Sequence, residues 1–176
     1  MTYYVRRLNK ISNWPDKNAK INKETISADA ISELKTSNNQ LSWWKLDDID
    51  DDSKIEKLAA AMFSTMDYGI GEICLVMIPS QDISTDIKLA SSPENGNSAV
   101  QGISDFHYDM VDLNYGKIGI VAETIAEHTS NLAGIFVKRI KSKRIIEKLK
   151  QLRKEKLVDE EKLGKYAREK LELAPV

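Results

Sequence analysis

The run Ile73-Cys74-Leu75-Val76-Met77-Ile78 constrains this 176-residue chain more than any other feature: it is entered through Tyr68-Gly69-Ile70-Gly71 and stopped by Pro79. An unbroken apolar stretch of that length between turn signals reads as a central β-strand. Just before it, Ile55, Leu58, Ala59, Met62, Phe63 and Met66 recur at helical spacing behind Ser53 and Glu56, which form an S-x-x-E capping box. A helix running into a buried strand sets the class as α+β.

Around this pair, Tyr3-Tyr4-Val5-Arg6-Arg7-Leu8 and Leu41-Ser42-Trp43-Trp44-Lys45-Leu46 carry strand-favouring residues, and Phe106 to Leu113 reads as an extended segment. Ser27 opens a short helix through Ala30, Ile31 and Leu34, and Asn114 caps one through Ile118, Val121, Ala122, Ile125 and Ala126. Ser91 to Gly102, rich in Ser, Asn, Gly and Pro, reads as a surface loop or disordered excursion. The expectation is an α+β domain over residues 1–131, with a small mixed sheet from segments near 3–8, 40–46 and 72–78 packed by helices near 54–66 and 117–129. A basic helical tail over 132–176 follows, with helices over 132–155 and 159–171 folded as a hairpin.

Charge separates the two parts. From Lys138 onward there are fourteen Lys or Arg against seven Asp or Glu, about +7, which leaves about −8 on the residues before it. The net of −1 by itself selects neither nucleic acid nor membrane. The lone Cys74 sits in the apolar run, where it packs as a small hydrophobe and suits a reducing, cytoplasmic setting. No signal-peptide h-region and no apolar run of membrane-spanning length is read, and no membrane partner is expected.

In the tail, Ile145, Leu149 and Leu152, then Leu163, Tyr166, Ala167 and Leu171, give two stripes that pair as an antiparallel hairpin. Ile146-Glu147-Lys148-Leu149-Lys150-Gln151-Leu152 followed by Leu157-Val158-Asp159-Glu160-Glu161-Lys162-Leu163 resembles the SHOCT oligomerisation module, and that resemblance implies self-association or a protein partner. Tyr4-x-Arg6-Arg7, Ala28-Asp29-Ala30 and Leu41-Ser42-x-Trp44 are similar in order to small bacterial open reading frames, which implies a bacterial accessory protein.

Four constellations carry the functional alternatives. Adjacent Trp43 and Trp44 must face opposite sides of a strand, so one is core and the other is either covered by a helix or free for a partner. Lys138, Arg139, Lys141, Lys143 and Arg144 form a cluster able to meet phosphates, or else a solvated face. Asp105, His107 and Asp109 would project from one side of a strand, as a general base or as a surface histidine with acidic neighbours. Asp47, Asp48, Asp50, Asp51 and Asp52 lack the glycine and distal glutamate of an EF-hand loop, and they fit the N-terminus of the helix that follows.

No phosphate loop, G-x-S-x-G or activated-cysteine pattern is present, and no cofactor or metal is expected. The leading expectation is a non-catalytic binding or accessory subunit that holds itself or a partner protein through its tail, in particular through Ile145, Leu149, Leu152, Leu163 and Tyr166. A small hydrolase or nuclease-like effector centred on His107 is the alternative, and nucleic-acid binding through the basic cluster is the second alternative.

Overall fold

The strands expected near residues 3–8, 40–46 and 72–78 are present as β1 (Tyr3–Leu8), β2 (Leu41–Leu46) and β3 (Glu72–Pro79) in the computed structural model, which describes residues 1–15, 25–130 and 136–174. Three more join them: β4 (Lys88–Ser91), β5 (His107–Val111) and β6 (Val137–Lys141). They form one sheet in the order β4-β5-β2-β1-β3-β6, and every neighbouring pair is antiparallel. The expected mixed sheet is therefore antiparallel throughout. The crossover from β2 to β3 does join strands running the same way, but β1 lies between them and pairs antiparallel with both.

Alternation along the strands loads both faces of this sheet. Val5, Trp44, Leu46, Ile73, Leu75, Met77 and Ile140 belong to one apolar cluster, while Leu8, Leu41, Trp43, Cys74, Val76, Ile78 and Met110 belong to the other. The unbroken run at 73–78 is thus explained by burial on both sides. Helix α2 (Asp52–Ser64) covers the first face, and α1 (Ala28–Ser32) and α3 (Tyr115–Ser130) cover the second. Ser27 caps α1 by accepting from Ala30 N at 3.1 Å, and Asn114 caps α3 by accepting from Lys117 N at 3.0 Å. At the start of α2 the cap is Asp51, which accepts from Ser53 N and Lys54 N at 3.0 and 3.1 Å, and no Ser53–Glu56 box forms. Glu56 is drawn instead to Arg144.

The segment expected as a separate helical tail is built into this same core. Residues 132–135 of the helix expected over 132–155 lie outside the described residues; in place of a helix, Val137–Lys141 forms β6, the outer neighbour of β3, and only then does α4 (Ser142–Lys154) begin. The basic residues at 138, 139 and 141 therefore lie on an edge strand, where lysine and arginine suit a row of unpaired backbone groups better than apolar side chains do. Ile145, Leu149 and Leu152, spaced to share one face of α4, are buried with Ile55, Leu58 and Ala59 of α2. The helix expected over 159–171 reduces to a 3-10 turn at Glu160–Lys162 and a short α5 (Lys165–Lys170).

Helix α5 docks on the end of α2 rather than pairing along α4. Gly164 makes this possible, because a Cβ there would come within 2.5 Å of the Met66 carbonyl oxygen. Its N–H donates to Ser64 O at 2.8 Å, and Tyr166 meets Phe63 edge-on at 5.6 Å between centroids. The expected excursion at 91–102 is also fixed in place. Val100 forms a bridge with Val158, Asp159 N donates to Ala99 O at 2.8 Å, and Ala99 and Val100 are buried. No helix among the described residues is long and apolar enough to cross a membrane.

Candidate functional site

The sheet is incomplete at its centre. β1 pairs with β3 at all six of its residues, but with β2 only at Tyr3–Leu46, Tyr4–Lys45 and Val5–Trp44. If that ladder continued, Arg6 would oppose Trp43 and Arg7 would oppose Ser42. Neither pair forms, while β2 goes on pairing with β5 through Trp44–His107, Trp43–Tyr108, Ser42–Asp109 and Leu41–Met110. A seam opens between β1 and β2.

Arg6 bridges that seam. Its Nη1 donates to Ser42 O at 2.7 Å and its Nη2 to Glu33 O at 3.3 Å, and the guanidinium lies 6.0 Å from the Trp43 ring centroid. The Nε of Arg6 is buried and has no partner among the described residues. Burial, and then repulsion from Arg7, lowers the pKa of Arg6 to about 10 against the opposing pull of Glu33, so the group stays charged at neutral pH. On the α1 side the seam is closed by Glu33, whose carboxylate accepts from the backbone N–H groups of Asn9 and Lys10 and from the Asn13 amide.

On the α2 side the seam is an open cleft of about 290 Å³. Arg6 and Arg7 line it from β1 and Asn9 from just past its end, Ser42 and Trp44 from β2, Met62 from α2, Asn95 and Asn97 from the loop after β4, and His107 from β5. His107 is only 2 % exposed, packed edge-on against Trp44 at 4.9 Å, with Nδ1 3.0 Å from both the carbonyl oxygen and the hydroxyl of Ser92. A carbonyl can only accept, so hydrogen bonding assigns the ring proton to Nδ1. Burial pulls the His107 pKa down, partly offset by Asp109, the Ser92 carbonyl and Glu94, so the ring is neutral at pH 7.

Asp109 shares the face of His107 and is equally buried. It accepts from Ser42 Oγ at 3.1 Å and from Asn95 Nδ2 at 2.7 Å. Burial is the largest single influence and raises its pKa, but the donors Asn95, Ser92 and Ser42 and the adjacent imidazole together outweigh it and hold the carboxyl below its ordinary range. The loop that supplies Asn95 reaches this position because Gly96 lies against His107, where a Cβ would come within 2.9 Å of the His107 Cβ.

The residues singled out from sequence fare unequally. His107 and Asp109 are brought together and are core, not surface, whereas Asp105 lies in the 3-10 turn Ser104–Phe106 ahead of the strand and is exposed. The expected alignment of all three on one strand face fails because the strand starts two residues too late. Trp43 and Trp44 do face opposite sides of β2, but both are buried, one in each apolar cluster, so neither is free for a partner. Ile145, Leu149, Leu152 and Leu163 are likewise buried, and Tyr166 is half-covered against Phe63.

In the basic cluster, Lys138 pairs with Asp52, Arg139 and Lys141 with Glu72, and Arg144 with Glu56 and Asp52, which spends much of the charge that would meet phosphates. Among the described residues no three His, Cys, Asp or Glu side chains are gathered to hold a metal. The cleft cations Arg6 and Arg7 and the amides Asn95 and Asn97 did not stand out by motif. The one signal is a pair of adjacent arginines inside a strand-favouring run, since two charges side by side cannot both avoid a sheet buried on both faces. Comparison of the chain with protein-family models, with curated proteins and with solved structures finds no match.

Proposed function

We propose that this chain is a non-catalytic binding protein that takes a small ligand into the cleft between β1 and β2. The observation that carries the reading is the seam itself. A sheet gains by completing its ladder, and a polar opening at its centre, lined by polar side chains from three strands and a loop, is the type of concavity in which ligands are held. The tail supports the same choice, because its apolar stripe is spent inside the chain.

Catalysis by His107 is disfavoured by its own hydrogen bonds. With Nδ1 carrying the proton toward the Ser92 carbonyl, that nitrogen cannot take the proton of the Ser92 hydroxyl 3.0 Å away, and so Ser92 is not an activated nucleophile. Asp109 is engaged by Ser42 and Asn95 rather than orienting a base.

The test is an amide-resolved NMR screen of the full chain against a library of small polar fragments. Hits should shift the resonances of Arg7, Asn9, Ser42, Asn95 and Asn97 together. A screen in which no fragment maps to these residues overturns the reading, as does any hydrolytic turnover that His107→Gln abolishes.

A further inference from the structure

We infer that the ligand of the β1–β2 cleft carries an oxyanion, a carboxylate or a phosphate, and that Arg7 is the residue that receives it. The inference rests on the binding reading above. Neighbouring residues on a strand project to opposite faces, yet Arg6 and Arg7 both line this cleft, because the parted strands let Arg6 lie in the seam while Arg7 reaches in from the α2 side. Among the described residues two guanidiniums, three carboxamides, a hydroxyl and an imidazole make up the polar lining, with no carboxylate among them.

The nearby acids are already engaged. Asp109 is held by Ser42 and Asn95, and Glu33 by Asn9, Lys10 and Asn13 on the far side of the seam. Arg6 places both terminal nitrogens on backbone carbonyls, which give it direction without neutralising it. Arg7 donates only to neutral acceptors, the Met66 sulfur at 3.5 Å and the Asn9 side-chain oxygen at 2.8 Å, and among the described residues it forms no ion pair. A planar guanidinium fork with its charge uncompensated, beside a second guanidinium that it repels, gains from an anion placed between them.

The volume of about 290 Å³ is at the small end for such sites, so the cleft admits a compact metabolite or one end of a larger one. The amides of Asn9 and Asn97 stand at its wall as neutral donors for the remaining oxygens of the ligand.

The experiment titrates the full chain with inorganic phosphate and, separately, with citrate, at constant ionic strength set with chloride, while the side-chain resonances of Arg7, Asn9, Asn95 and Asn97 and the Trp44 indole are followed. Saturable shifts with either anion support the inference. A response to phosphate alone points to a phosphorylated ligand, and a response to citrate alone to a carboxylate. Arg7→Gln should weaken binding by roughly ten- to a hundredfold, the range for losing one charge-assisted hydrogen bond. Asn97→Ala, at an exposed position, guards against a folding defect in the first variant and should weaken binding by about threefold, the lower range for one neutral hydrogen bond.

Anion shifts confined to the lysines of β6 and α4, or cleft shifts unchanged by Arg7→Gln in a folded protein, overturn the inference. So does a cleft that responds to neutral fragments and to neither anion, a result that leaves the binding reading standing. A cleft that responds to no fragment and no anion removes both.

Discussion

Along its β3 side β1 is paired from Tyr3–Pro79 to Leu8–Cys74, whereas along its β2 side pairing ends at Val5–Trp44, halfway down the same strand. Intrinsic strand preference cannot explain the difference, since one stretch of backbone serves both sides. What differs is the side-chain setting. On the β3 side the ladder joins a strand buried on both faces and is covered by α2, α4 and α3, so closing it desolvates apolar surface and completes backbone hydrogen bonds together. Arg6 and Arg7 pair with Val76 and Leu75 on the β3 side, so what sets the β2 side apart is that the Arg6 guanidinium is turned toward it, onto Ser42 O and Glu33 O. Two or three ladder bonds, at about 1 kcal/mol net each, are forgone there. The charge-assisted bonds from Arg6 to Ser42 O and Glu33 O replace part of that stabilisation and hold the strands apart.

The comparison predicts unequal costs for damage on its two sides. Leu149→Ala, under β3 and α2 in the closed half, should lower unfolding stability by about 2–5 kcal/mol, the range for truncating a fully buried leucine. Urea denaturation of the full chain measures this, and a loss under 1 kcal/mol would mean that α4 is an appendage after all. Arg6→Leu, in the open half, strips the Ser42 carbonyl of its donor and should cost about 1–3 kcal/mol. Its sharper signature is in hydrogen exchange: the amides of residues 41–43 should lose protection while those of β3 keep theirs. Equal loss on both sides would show that the seam is not a local feature.

These halves also differ in how plainly the sequence announces them. The apolar run at 73–78, the periodic α2 and the caps Ser27 and Asn114 are local signals, and each is read from neighbours in the chain. The seam is not local. It needs Arg6 placed against Ser42 and Glu33, and Asn95 against Asp109, separations that no periodicity expresses. His107 and Asp109 were legible as a pair on one strand face, but their burial was not, because it depends on a glycine, Gly96, laying a loop across them. The segment over 137–154 misleads for the opposite reason. A strand of Val, Lys, Arg and Ile runs without a break into a helix rich in Lys, Arg, Ile and Leu, and only pairing with β3 divides the two.

The smallest expected effect is a pH dependence confined to the open half. Burial depresses the His107 pKa below its ordinary 6.5, so the folded state resists a proton that the unfolded chain accepts. The stability this contributes is complete above the unfolded value and is lost as pH falls toward the folded one. Asp109 is also depressed, below 3.8, and its contribution persists until more acid conditions, so the two separate on the pH axis. The charged groups that face His107 are Asp109 and Glu94, which favour its protonation, and Arg6 and Arg7, which line the same cleft. Measured by denaturation between pH 7 and pH 5, the gap in stability between the protein and His107→Gln should narrow as pH falls, because only the parent carries the titrating ring. Parallel curves across that window would show that the ring is not held neutral, and with it would go the tautomer argument that separates binding from catalysis at this site.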